Sequence, residues 1–188
     1  MYLLPLLLLL PLNAHSARGK NYGPFFSVNG GIAIDTGPDR GKVQGPALGA
    51  SLGYRRNKWV LELGYSTYDL KAKTGQAADY FVEKAEVKAT GFDLTVSRVL
   101  WRFFTVGVGA SKVTTQEDIS LTSVYGDPYV SAVSQGKKDY TSFKWQAGLV
   151  LPLYRWLDFW VLYQDKSFNS ENYDFKIKQY SGQFLFYF

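Results

Sequence analysis

At 188 residues, 46% apolar and 17% aromatic, the chain has the length of a single domain and enough apolar side chain to bury a core or coat a surface, which excludes a disordered protein. Its +5 charge comes from 21 basic and 16 acidic residues with no long run of one sign, so it carries no nucleic-acid footprint. With no cysteine, disulfides, thiolate metal sites and a thiol nucleophile are excluded together.

The chain starts with "YLLPLLLLLPL", an apolar run of secretory length that Pro5 and Pro11 make too short and too broken to span a bilayer as a helix. In the following "NAHSA", Ala14 and Ser16 occupy the small-residue positions of an export-signal cleavage site, which predicts a signal peptide over 1–16 and a mature domain over 17–188.

Downstream, no segment holds a helical apolar repeat for three turns, and alternation at period two recurs instead. "FSVNGGIAI" sets Phe26, Val28, Ile32 and Ile34 against Ser27, Asn29, Gly31 and Ala33. "ALGASLGY" sets Leu48, Leu52 and Tyr54 against glycine and serine, and "KWVLELGYSTY" sets Trp59, Leu61, Leu63 and Tyr65 against Glu62, Gly64 and Ser66. "ATGFDLTVSR" opposes Phe92, Leu94 and Val96 to Asp93, Thr95 and Ser97, while "FFTVGVGAS" lines one parity with Thr105, Gly107, Gly109 and Ser111. "TSFKWQAGLVL" places Lys144 and Gln146 on the polar parity. "WLDFWVLYQDK" is mixed, with Trp160 and Leu162 on the parity of Asp158 and Gln164, and "YSGQFLFYF" closes the chain with rings at Tyr180, Phe184, Phe186 and Phe188.

Eight such segments predict an all-β, eight-stranded antiparallel up-and-down transmembrane β-barrel. The links alternate long and short, with short ones near 55–58, 99–102 and 152–155 and the longest over 112–140, as expected when one rim needs only turns. The apolar parity is too bulky for the inside of eight strands and belongs against lipid; the small polar parity belongs in the lumen. Aromatics gather near segment ends (Phe25 and Phe26; Tyr54 and Trp59; Tyr65 and Tyr68; Trp101, Phe103 and Phe104; Tyr154 and Trp156), where interfacial girdles form.

These features together resemble the small eight-stranded outer-membrane barrels of Gram-negative bacteria, the OmpA-barrel and OmpX-like group, over essentially the whole mature chain. The resemblance implies location in the bacterial outer membrane, among its lipids and lipopolysaccharide. It also implies that Tyr180, Gly182, Phe184, Phe186 and Phe188 form the signal read by the barrel-assembly machinery. No peptidoglycan-binding domain follows Phe188, so cell-wall tethering is not expected.

Enzymes among such barrels rely on a histidine, and the only one here is His15, inside the export signal. No enzyme, metal or cofactor is therefore expected. Glu62, Asp93, Lys144 and Gln146 are read as a lumen polar network, with Lys144 and Lys166 as cation partners of the carboxylates. Arg55, Arg56, Lys58, Arg98, Arg102 and Arg155 make the short-turn side a basic rim facing anionic headgroups or solvent. In the longest link, "ISLTSVYGDPYVSAVS" reads as a hairpin beyond the membrane offering Tyr125 and Tyr129 for surface contact with a host or other ligand. A plugged monomer acting through its loops in adhesion or membrane integrity is the first expectation. A secreted lipocalin-like carrier of a small apolar ligand and a narrow channel are the alternatives, although the lipocalin G-x-W signature is missing from "GPFFSVNGG".

Overall fold

The computed structural model describes residues 23–35, 43–72, 75–77, 80–101, 103–123, 134–170 and 173–188. The segment expected to be an export signal, 1–16, and Arg102, Tyr125 and Tyr129 lie outside them. The described residues form strands β1 (Pro24–Asp35), β2 (Val43–Arg56), β3 (Trp59–Ala72), β4 (Gly75–Ala77), β5 (Tyr80–Leu100), β6 (Phe104–Ser123), β7 (Ser134–Tyr154), β8 (Leu157–Ser170) and β9 (Tyr173–Tyr187). Each long strand pairs antiparallel with its sequence neighbours. Pairing of β9 with β1 and of β3 with β5 closes an eight-stranded barrel, to which β4 adds a short strip on β5.

The outward parity is apolar around the whole barrel. Leu48, Leu52, Leu61, Leu63, Phe92, Leu94, Val106, Val108, Phe143, Leu149, Val161 and Phe184 are all exposed, a surface that water would penalise and hydrocarbon accepts. Aromatics bound this belt at both ends. Tyr65 packs on Phe92 at 5.1 Å and Tyr163 on Tyr180 at 5.1 Å toward the long-loop side, while Tyr154 stacks on Trp156 at 5.7 Å at the short turns. Tyr180 and Phe186 lie six positions apart on β9, about 20 Å along the strand at 3.3–3.4 Å per residue. Two residues expected in the girdles turn inward instead: Phe25 and Tyr68 sit on the lumen parity and are buried.

The short links are turns. Asn57 adopts φ 57° between β2 and β3, the left-handed conformation that a two-residue hairpin needs and asparagine tolerates. Trp101 adopts φ 43° in the next short turn, where an indole rather than a glycine accepts the strain; it is exposed and meets the Phe104 ring edge-on at 6.4 Å. Pro152, whose ring cannot donate to a ladder, coincides with a register shift between β7 and β8.

The long links hold more strand than alternation of apolar residues indicates. β5, β6 and β7 contain 21, 20 and 21 residues, against 12–15 for the other barrel strands. A spanning strand needs only about 9–11 residues. The surplus lies on the long-loop side, where β6 stays paired with β5 to Ser123 and with β7 to Ile119.

Candidate functional site

Small inward residues let long polar side chains from opposite walls meet inside the barrel. Asp93 on β5 is the hub. Lys166 on β8 donates to both its oxygens, at 2.7 and 2.9 Å, and Lys144 on β7 approaches to 3.6 Å. Lys166 also donates to the Tyr68 hydroxyl at 2.7 Å, and Tyr68 donates to Gln179 at 3.2 Å. Glu62 forms a second centre, accepting from Ser51 at 2.5 Å and from Gln183 at 2.6 Å; Gln183 also donates to Ser27 at 2.7 Å. Gln146 donates to Ser97 at 2.9 Å and accepts from Gln164 at 3.3 Å.

Glu62, Asp93, Lys144 and Gln146 thus all line the lumen and are all bonded to neighbours, but not to one another as a single group. Asp93 with Lys144 and Lys166 forms one knot of the polar layer, Glu62 with two neutral donors a second that shares the Lys144 charge, and Gln146 with two more neutral groups a third.

Apolar layers close that polar layer from both sides. Toward the long loops lie Leu70, Val87, Val113 and Ile177, all buried, and toward the short turns lie Phe25, Val60, Val150, Trp160, Leu162 and Leu185. The mixed parity of "WLDFWVLYQDK" has its explanation here: Trp160 and Leu162 point inward among the polar positions and build the lower plug, and Trp160 is 0% exposed. Between the plugs, a cavity of about 20 Å³ is lined by Asn29, Glu62, Asp93, Thr95, Lys144 and Gln179. That volume accommodates about one water molecule, not a file of hydrated ions.

A third cluster lies at the short-turn rim. Arg55 donates to Asp158 at 2.6 Å and to the Tyr187 hydroxyl at 2.9 Å, and Tyr187 donates to Asp158 at 2.9 Å. The basic rim is corrected accordingly: Arg55 is buried against an acid, and among the described residues Arg56, Lys58, Arg98 and Arg155 are its exposed cations. Alternation along β2 fixes the difference between Arg55 and Arg56, because adjacent strand residues face opposite sides. Local pattern gives no sign of the pairing, since Arg55 and Asp158 are 103 residues apart.

Tyr180, Gly182, Phe184, Phe186 and Phe188 all lie on the outward parity of β9 or directly after it, with Phe188 donating its amide to Pro24 at 3.2 Å across the seam with β1. Among the described residues, no three His, Cys, Asp or Glu side chains converge as a metal site would require.

Neisserial surface protein A has a similar solved structure, with a TM-score of 0.60 at 13% identity over 90% of this chain and 100% of that one. The chain has the fold of the eight-stranded outer-membrane barrels. Ail, the attachment invasion locus protein of Yersinia pestis, is also similar, with a TM-score of 0.51 at 12% identity over 89% of this chain and 99% of Ail. No family model matches the chain, and no curated protein matches it in sequence. A barrel of this fold with its apolar parity outward and its polar parity tied up inside reverses the arrangement of a soluble carrier, whose apolar side chains would surround a ligand.

Proposed function

We propose that the protein is an integral, monomeric barrel of the Gram-negative outer membrane, exported by cleavage near Ser16 and Ala17, with no enzymatic activity. Its work is surface contact, carried by the sheet that β5, β6 and β7 extend beyond the lipid belt. The observation behind this reading is the strand surplus. Past Phe92, Lys112 and Phe143 these strands continue for roughly 30–40 Å along their axes at about 3.3 Å per residue. Their outward positions change there from aliphatic and aromatic to Lys88, Gln116, Lys137 and Asp139, all exposed. A rigid, polar platform of this kind suits recognition, and it supports Tyr125 and Tyr129 as contact residues.

Lipopolysaccharide and phospholipid surround the belt in this reading, and the barrel-assembly machinery engages β9 through Tyr180, Gly182, Phe184, Phe186 and Phe188. A narrow channel is disfavoured by the two apolar plugs, and a lipocalin-like carrier by the filled lumen.

The test shortens the platform. Residues 119–134 are replaced by an Asn-Gly turn, joining β6 and β7 where Asp118 and Gln135 are already cross-strand partners. Cells displaying each form are compared for attachment to a matrix-coated surface and for resistance to bile salts. Loss of attachment with unchanged resistance and an unchanged heat-dependent gel shift is expected. Undiminished attachment would remove surface contact as the function of this sheet.

A further inference from the structure

The short-turn rim carries a feature that surface contact does not use. Arg56 on β2 is the cross-strand partner of Trp59 on β3, and Trp59 is the partner of Arg98 on β5. All three are exposed on the outward parity, so two guanidinium groups bracket one indole on the lipid-facing wall. Their strands lie two spacings apart, about 10 Å. The Arg98 guanidinium already lies over the Trp59 ring at 5.3 Å from its centroid, which holds it at the level of the rim instead of letting it extend toward water.

On the membrane side of this row the next positions in register are Tyr54, Leu61 and Val96, all exposed and able to lie along acyl chains. On the other side is the turn with Lys58. Among the described residues, the acidic side chain of this rim is Asp158, and it is buried inside against Arg55. Phe188 follows the end of β9, with β1 between it and β2.

We propose that this face binds an anionic glycerophospholipid of the inner leaflet, its phosphate held between Arg56 and Arg98 with Trp59 at the glycerol level. Guanidinium groups grip a phosphate through paired N–H donors, which a zwitterionic headgroup offsets with its own ammonium. Each basic residue near an anionic leaflet contributes on the order of a fivefold preference. Arg155, in the turn between β7 and β8, shares the rim but has Tyr154 and Trp156 as chain neighbours and no second arginine in register. It serves as the control.

This inference rests on the membrane-barrel reading, and its test separates the two. Wild type, R56Q/R98Q and R155Q are folded in detergent and mixed with equal amounts of phosphatidylglycerol and phosphatidylcholine; retained lipid is identified by native mass spectrometry. Wild type and R155Q are expected to prefer phosphatidylglycerol by about 25-fold, each single glutamine variant by about fivefold, and R56Q/R98Q by about twofold or less. A double variant that keeps the wild-type ratio, or a folded wild type without preference, overturns the lipid site alone. A wild-type chain that never gives a heat-modifiable band overturns the barrel reading as well.

Discussion

Replacing Asp93 by asparagine would leave Lys166, wholly buried, and Lys144 without their shared counter-charge in a lumen that holds little water. Breaking a buried ion pair from one side costs about 3–5 kcal/mol. Urea unfolding of the barrel in lipid vesicles should show D93N destabilised by that amount, and the double variant D93N/K166M should recover part of it. Glu62→Gln is the contrasting case. Glu62 accepts from the neutral donors Ser51 and Gln183, so a neutral acceptor serves them nearly as well. E62Q also removes a negative charge near the buried Lys144, so it should lose about 1–3 kcal/mol, less than D93N, and its planar-bilayer conductance should stay at background; ion-selective current from wild type that changes in E62Q would reopen the channel reading. At this scale the sequence was informative about direction and named Lys144 and Lys166 as the carboxylates' cations, as Asp93 shows, but it was poor on the remaining partners. Parity alone turns Glu62, Asp93, Lys144 and Gln146 inward, because side-chain alternation is a property of any strand. Which of them meet depends on the stagger of eight strands, which no local pattern records, so Arg55 with Asp158 and Tyr68 with Lys166 were out of reach.

Among elements, β1 and β9 carry the seam. Gly31 faces Ser181 across it, and a Cβ built on Gly31 would run into the Tyr180 carbonyl and the Ser181 backbone. Unlike the tip of a flexible side chain, backbone cannot give way without opening the ladder. Gly31→Ala should lower the temperature at which the compact gel band is lost, by the equivalent of about 1–3 kcal/mol. Gly30, whose added Cβ would make only an ordinary contact with Leu48, provides a milder control in Gly30→Ala. The strand count and the alternation of turns with long links were legible because each spanning segment needs an apolar outward face. Strand ends were not: beyond the belt, β6 runs through Thr114 and Gln116 and β7 through Lys137 and Asp139, which are polar on the outward side too. Once both faces meet water, the pairing continues while the alternation that betrays it disappears. Trp160 and Leu162 show the converse, apolar residues placed inward to seal a polar interior.

For the whole molecule, Phe186→Asp or removal of Phe188 should reduce the amount of assembled barrel in the membrane fraction well before it changes any contact made by the projecting sheet. Phe186 stacks on Trp156 at 6.2 Å in the belt, and a carboxylate there meets hydrocarbon. Normal levels of both variants would argue against β9 as an assembly signal. The charged pairs of the lumen bear on how that assembly proceeds. Asp93 and Lys166 are 73 residues apart, Arg55 and Asp158 103, and Arg55 and Tyr187 132. β8 supplies an ion to two of these knots, Lys166 in the middle of the lumen and Asp158 at the short-turn rim. An open, half-inserted sheet would hold these groups apart, each exposed to a medium of low polarizability. Intermediates therefore carry the desolvation penalty without the attraction that offsets it, and the landscape has deep basins only before insertion and after closure. The barrel should consequently close in one concerted, slow step, and the ions that stiffen the finished protein are also what makes a partly assembled one short-lived.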